Sequence, residues 1–221
     1  MRRTRRIRII TTLLLALFVI AFPVSQNVSL PSGASTQTAE QTNNSLAKLE
    51  TLDLKGRAPK TGYSRSQFGD GWREKDGCDT RNIILARDLD AIRVGDDCKL
   101  LSGTLHDPYT GAEIQFKRGA RTSADVQIDH VVALSNAWQT GAQQLDSSAR
   151  EDLANDPLNL LAVDGKANQQ KSDGDAATWL PANKPFRCQY VTRQVDVKAK
   201  YDLWVTNAEK SAIARVLGSC R

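Results

Sequence analysis

Three runs follow one another in the middle of this chain, and together they constrain its fold more than any other feature. Val126–Leu134 (VQIDHVVAL) is an apolar run that reads as a strand entering a loop. Asn159–Val163 (NLLAV) is short and wholly apolar after its first residue, as a buried strand should be. Asp164–Ser172 follows at once and reads as a helix with Asp164 as its N-cap. Strand, connection, strand and helix in that order predict a compact unit carrying Asp129-His130 at one strand end. The second strand then opens with Asn159, and the helix carries Asn168 and Lys171.

The flanking sequence predicts more elements of both kinds, so the fold class is α+β. Cys78–Leu89 reads as a helix and Cys98–Thr104 as a strand. Asp107-Pro108-Tyr109-Thr110-Gly111 is a turn, with Pro and Gly where turns favour them. Ala112–Lys117 alternates like a strand and makes a hairpin with the strand before it. Ser147–Leu153 is a short helix. Tyr190–Val197 is read as a strand, and the stretch from about Asn207 to Leu217 as a helix.

The N-terminus is of another kind. Arg2, Arg3, Arg5, Arg6 and Arg8 precede an apolar run from Ile9 to Phe22, broken only by Thr11 and Thr12. That arrangement predicts a signal peptide over residues 1–25, short for a spanning helix, with an uncleaved anchor as the alternative. Ser32-Gly33-Ala34 is a weak candidate cleavage site. Residues 26–56, rich in Ser, Thr, Gln and Asn and without an aromatic, read as a flexible linker. The folded domain is expected over 57–221.

This partition changes the meaning of the net charge. The whole-chain value is +5, and the five N-terminal arginines account for all of it. Residues 129–180 carry 3 basic and 8 acidic groups, and residues 181–221 carry 8 basic and 3 acidic. The overall charge is therefore a targeting feature and not the footprint of a nucleic-acid binder. All four cysteines lie in the exported part, where an oxidising compartment favours disulfides. Cys78–Cys98 and Cys188–Cys220 are the expected pairs, each closing a modest loop. Zinc ligation is the rival reading, and the Cys-x2-Cys spacing usual for zinc is absent from the sequence.

On Asp129-His130, Asn159 at the head of NLLAV and Asn168 in KANQQKSD, the chain resembles the HNH (His-Me finger, ββα-metal) endonuclease family. The core motif covers residues 126–173. With Arg81-Asn82, Arg87-Asp88 and the DPYTG turn, a wider resemblance runs from about residue 60 to the C-terminus. It is similar to exported bacterial HNH-type proteins related to the C-terminal nuclease domain of modification-dependent restriction enzymes. The resemblance implies a ββα-metal core embedded in a single disulfide-stabilised domain, and an exported metal-dependent endonuclease acting on DNA.

The implied roles suit the residue types. A neutral imidazole at ordinary pH can take a proton from water, so His130 would be the general base. Asp129 and Asn168 would be the metal ligands, and hard oxygen donors suit Mg2+, with Mn2+ as the other candidate. Asn159 would orient the turn and the His130 ring. Lys171, three residues after Asn168, would contact phosphate. Many family members end the motif with His where this chain has Asn168, and an Asn-ended variant also occurs. That departure favours magnesium over zinc.

Other residues have plainer readings. His106 beside Asp107-Pro108 belongs to the turn. Arg81 and Arg87 pair with Asp79 and Asp88 or bind phosphate. Trp72, Trp138, Trp179 and Trp204 are core or partly buried. Lys184, Arg187, Arg193, Lys198 and Lys200 form a basic segment that tracks nucleic acid or is ordinary surface. The alternative function is a non-enzymatic cell-surface or nucleic-acid-binding module that reuses the fold. Membrane contact would come only through an uncleaved N-terminus, and no obligate protein partner is evident.

Overall fold

The computed structural model describes the backbone of residues 33–120 and 122–220, and side-chain surroundings from residue 39. The segment 1–25, read as signal or anchor, lies outside the described residues, as does 26–32. Among the described residues, no helix is long and apolar enough to cross a membrane.

The elements run α1 (Gly33–Thr51), β1 (Glu74–Lys75), β2 (Cys78–Asp79), α2 (Thr80–Asp88), β3 (Leu89–Val94), β4 (Leu100–His106) and β5 (Glu113–Lys117). They continue with β6 (Val126–His130), α3 (Leu134–Gln139), α4 (Ser147–Asn155), β7 (Leu160–Asp164), α5 (Gly165–Lys171), α6 (Arg187–Lys200) and α7 (Asn207–Leu217). Strands β3, β4 and β5 form one antiparallel sheet, β6 and β7 another, and β1 and β2 a small ribbon. The domain is mixed α+β and carries two disulfides, in the expected pairing of Cys78 with Cys98 and Cys188 with Cys220.

The β6–β7 pair is buried on both faces, which is why Leu160–Val163 is apolar throughout. Leu160 and Ala162 face one core cluster with Val126 and Ile128, against Ile84 and Leu85 of α2. Leu161 and Val163 face the other, against Tyr190, Val191 and Val195 of α6. A strand sends alternate side chains to opposite faces, so a two-sided core needs no polar alternation.

Helix α5 starts where expected. The Asp164 side chain accepts from the Ala167 amide, satisfying one free donor of the first turn. Gly165 is required by a close approach: a Cβ there would sit 2.1 Å from the Ala124 carbonyl oxygen. The DPYTG turn also forms. The Gly111 amide bonds the Asp107 carbonyl at 2.8 Å, and Gly111 takes a φ of 78°. Asp107 Oδ1 accepts from the Asp164 amide at 2.8 Å, tying this turn to the end of β7.

Two expectations are overturned. Residues 26–56 were expected to be a flexible linker, yet 33–51 form a helix. Ser45, Leu49 and Leu52 are buried along one stripe of it and its sequel. Ser45 Oγ meets Thr192 Oγ1 at 3.3 Å, and Lys48 pairs with Asp196 of α6. The polar residues that suggested a tether occupy the exposed side. A narrow apolar stripe suffices once α6 and α7 receive it.

Tyr190–Val197 was expected to be a strand and instead lies inside α6. Its valines and threonine favour strands in isolation. Its buried positions, Tyr190, Val191, Gln194, Val195, Val197 and Lys198, follow helical spacing, and burial against α1 and α7 overrides propensity. Strand β3 and helix α3 had no counterpart among the expected elements.

Candidate active site at the end of the paired strands

Asp129 and His130 close strand β6, opposite Leu161 and Leu160 of β7. Because the strand stays extended, the two side chains leave on opposite faces. Asp129 turns towards Tyr109 and Lys171. His130 turns towards Trp72 and the end of α4.

Both Asp129 oxygens are held. Oδ2 accepts from the Tyr109 hydroxyl, and Oδ1 accepts from Lys171 Nζ at 3.0 Å. Lys171 also donates to the His130 carbonyl at 2.8 Å. Burial raises the pKa of Asp129, while the Lys171 charge and these hydrogen bonds pull it back. Burial and the neighbouring carboxylate push the Tyr109 phenol well above its usual range.

The His130 ring is fixed on two sides. Its Nε2 lies 2.9 Å from the Ala154 carbonyl oxygen, and its face stacks on Trp72 at 5.7 Å between centroids and 10° between planes. A carbonyl can only accept, so the ring proton sits on Nε2 and the lone pair on Nδ1. Burial pushes the His130 pKa down to about 3, with the Ala154 bond opposing and the Arg65 and Lys171 charges adding to the fall. The ring is therefore neutral at ordinary pH. Arg73 braces both supports, bonding Asp152 at 2.7 Å and, through its amide, Asn155 Oδ1 at 2.9 Å.

Asn159 is fully buried behind this end of the strand. Its Oδ1 accepts from the Val132 amide at 2.8 Å, and its carbonyl accepts from the Val131 amide at 2.7 Å. These bonds hold the turn after β6; Asn159 makes no hydrogen bond to the His130 ring, which Ala154 and Trp72 hold. Lys171 departs further from expectation. Its side chain has no solvent exposure, and its ammonium is spent on Asp129 and the His130 carbonyl. It cannot also face a phosphate.

Two hollows meet at His130. One, of about 520 Å³, is lined by Asp129, His130 and Asn168, with Lys60, Arg65 and Asp173 at its sides. The other, of about 350 Å³, lies against Trp72, Phe68 and Ala154 and again touches Arg65 and His130. Asp129, His130 and Asn168 thus line one hollow. Asn168 Nδ2 donates to Gln127 Oε1 at 2.9 Å, which leaves the amide oxygen as its other end.

A hard divalent ion fits this donor pair. A carboxylate has about four lone-pair positions, and Asp129 uses one on each oxygen. Among the described residues no group of three or more His, Cys, Asp and Glu is gathered for a metal. The oxygen donors of Asp129 and Asn168 are of the hard kind that magnesium takes, one or two from the protein with water and phosphate completing its shell.

Residues 79–216 match the family model described as GmrSD restriction endonucleases, C-terminal domain. The chain belongs to this family. The chain is also 36% identical over 200 residues to a protein of Arthroderma benhamiae named an uncharacterized secreted protein, covering 90% of this chain and 91% of that one. No solved structure matches. The two disulfides accord with an extracellular location.

The part matched to GmrSD C-terminal domains begins at residue 79. Lys60, Tyr63, Arg65 and Trp72 precede it, yet they line the hollows. Trp72 is partly buried, as expected, but its place beside His130 was not expected, and Arg65 carried no expectation. Nothing local marks either, since their role depends on how residues 57–73 fold back over α3 and α4. Tyr109 was hidden in the same way, inside a turn read only as a turn.

Arg81, Arg87 and Arg193 are structural. Arg81 donates to the Ser123 and Val126 carbonyls, at 3.3 and 3.1 Å, and not to Asp79. Arg87 pairs with Asp88 as expected and also reaches the Leu160 carbonyl at 2.7 Å. In the C-terminal basic segment, Arg193 bonds the carbonyls of Pro157, Leu158 and Leu160, and Lys200 bonds Asp156 at 2.6 Å. Lys198 is buried. That segment therefore presents no continuous basic stripe.

Proposed function

We propose that this protein is an exported, metal-dependent endonuclease of ββα-metal type that hydrolyses phosphodiester bonds in DNA. The observation that carries the reading is the state of His130. Its Nε2–H is engaged by the Ala154 carbonyl, so the neutral ring has its free lone pair on Nδ1, and His130 lines one hollow with Asp129 and Asn168. Membership of a restriction-endonuclease domain family supports the same chemistry. The disulfides and the relative named as secreted support export.

In this reading a water attacks phosphorus, His130 Nδ1 takes its proton, and the bond from phosphorus to the 3′ oxygen breaks. A divalent ion held by Asp129 and Asn168, magnesium by preference or manganese, would supply positive charge beside the phosphate oxygens. Trp72 and Ala154 keep the imidazole from turning, which preserves the direction of Nδ1. Tyr109 and Lys171 keep Asp129 in place, and Asn159 fixes the backbone directly after His130.

The purified protein, with α1 retained, is expected to nick plasmid DNA with magnesium and to stop with EDTA. A His130→Ala variant should lose about 10²–10⁴-fold in rate, the usual contribution of a general base. Undiminished cleavage by that variant would falsify the assignment.

A further inference from the structure

We propose that Arg65 is a second substrate-contacting residue, whose guanidinium takes a backbone phosphate of the nucleic acid where the two hollows meet beside His130. The inference rests on the phosphodiesterase reading, but it concerns a residue outside the segment matched to the family.

Arg65 lines both hollows, and of the residues that do so only His130 and Leu134 accompany it. It stands in the one place that touches substrate space on each side of the proposed base. Its side chain is exposed, and among the described residues it makes no hydrogen bond or ion pair. Its neighbours are committed. Arg57 is paired with Asp175 at 2.7 Å, Arg73 with Asp152, and Lys60 with Asp173. Arg150 donates to the Gln67 carbonyl at 2.8 Å. Lys171, the cation nearest Asp129, is enclosed. A site with Asp129, Asp70 and Asp173 around it needs an uncommitted cation to receive a polyanion, and Arg65 is that cation.

The mounting of Arg65 is rigid although its side chain is free. It opens the short 3-10 turn Arg65–Phe68, whose Phe68 is buried. The rings of Tyr63, Phe68 and Trp138 pack edge to face around it at 6.2 to 6.3 Å. A planar guanidinium on a fixed base suits two-point capture of phosphate oxygens.

The test uses a short fluorescent DNA duplex and anisotropy in EDTA, so that binding is read without hydrolysis. Arg65→Ala should bind about tenfold more weakly, the loss of one charge-assisted contact. Its salt dependence should fall by about one unit of slope. Arg65→Lys should recover part of the affinity. Arg93→Ala, which removes an exposed arginine of β3, should behave as the wild type. With magnesium, Arg65→Ala should also lose about 10²–10³-fold in cleavage. Wild-type affinity and salt slope in Arg65→Ala would overturn the proposal, as would a wild type that does not bind the duplex. If the wild type binds but never cleaves, the enzymatic reading fails while the anisotropy still decides the role of Arg65.

Discussion

Lys171 and Lys198 both lie wholly out of solvent, each against a carboxylate at a similar distance. Lys171 Nζ is 3.0 Å from Asp129 Oδ1, and Lys198 Nζ is 2.9 Å from Glu209 Oε1. Lys198 adds the Trp204 carbonyl and Thr140, and its carboxylate partner has no exposure at all. That pair joins α6 to the first turn of α7 and touches nothing from outside. The Asp129 pair is built from distant parts of the chain, and its carboxylate borders the larger hollow. The same chemical pair is a sealed fastening in one region and a support for an open oxygen face in the other. Burial raises the pKa of both carboxylates, and the lysines offset it in both. The difference lies in access, not in composition.

Substitutions should separate the two roles. Lys171→Met is expected to do most damage, because it leaves Asp129 charged and unpaired and also frees the His130 carbonyl. A loss of about 3–5 kcal/mol in denaturant unfolding should come with at least a tenfold fall in cleavage per folded molecule. Lys198→Met should cost a similar amount of stability but leave the cleavage rate of the folded fraction unchanged. Adding Glu209→Leu to it should restore much of the stability, since a packed apolar pair replaces the ions. Equal activity losses from the two lysine variants would show that Asp129 is not distinguished by its access to the hollow.

A smaller effect is expected from pH. The His130 pKa is depressed from 6.5 to about 3 in the folded protein. Between those values the unfolded chain binds a proton that the folded ring refuses, so His130 lowers stability as pH falls from 6.5. One proton corresponds to a slope of up to about 1.4 kcal/mol per pH unit. Melting curves from pH 7 to 4 should show this slope in the wild type and its loss in His130→Gln. A parallel decline in both would mean that the ring is protonated in the folded state.

Much of the site was legible because it is written in a short span. Asp129, His130, Asn159 and Asn168 fall on a strand end, a strand start and a helix, and the local signals for those elements are strong. The Asp164 cap and the apolar run Leu160–Val163 set their positions without distant help. Packing, not local pattern, decides two other segments. Residues 190–197 carry strand-favouring side chains but are helical because α1 and α7 cover one helical face. Residues 33–51 look like a tether because only a narrow stripe is apolar, and that stripe matters only once α6 receives it.

By itself, then, the sequence determined the α+β class, the two disulfide pairs, the order of strand, strand and helix, and the residues that meet at the strand end. The class, the disulfide loops and the order of elements follow from spacing, alternation or capping within a few tens of residues, whereas the site residues are what the resemblance to the HNH family implied. The tertiary structure alone decided that Lys171 is buried under Asp129, that Tyr109 and Trp72 hold the acid and the imidazole, and that Arg65 borders both hollows. Those contacts join residues far apart in the chain, and burial sets which groups stay neutral, which are paired and which remain free. No local pattern encodes that.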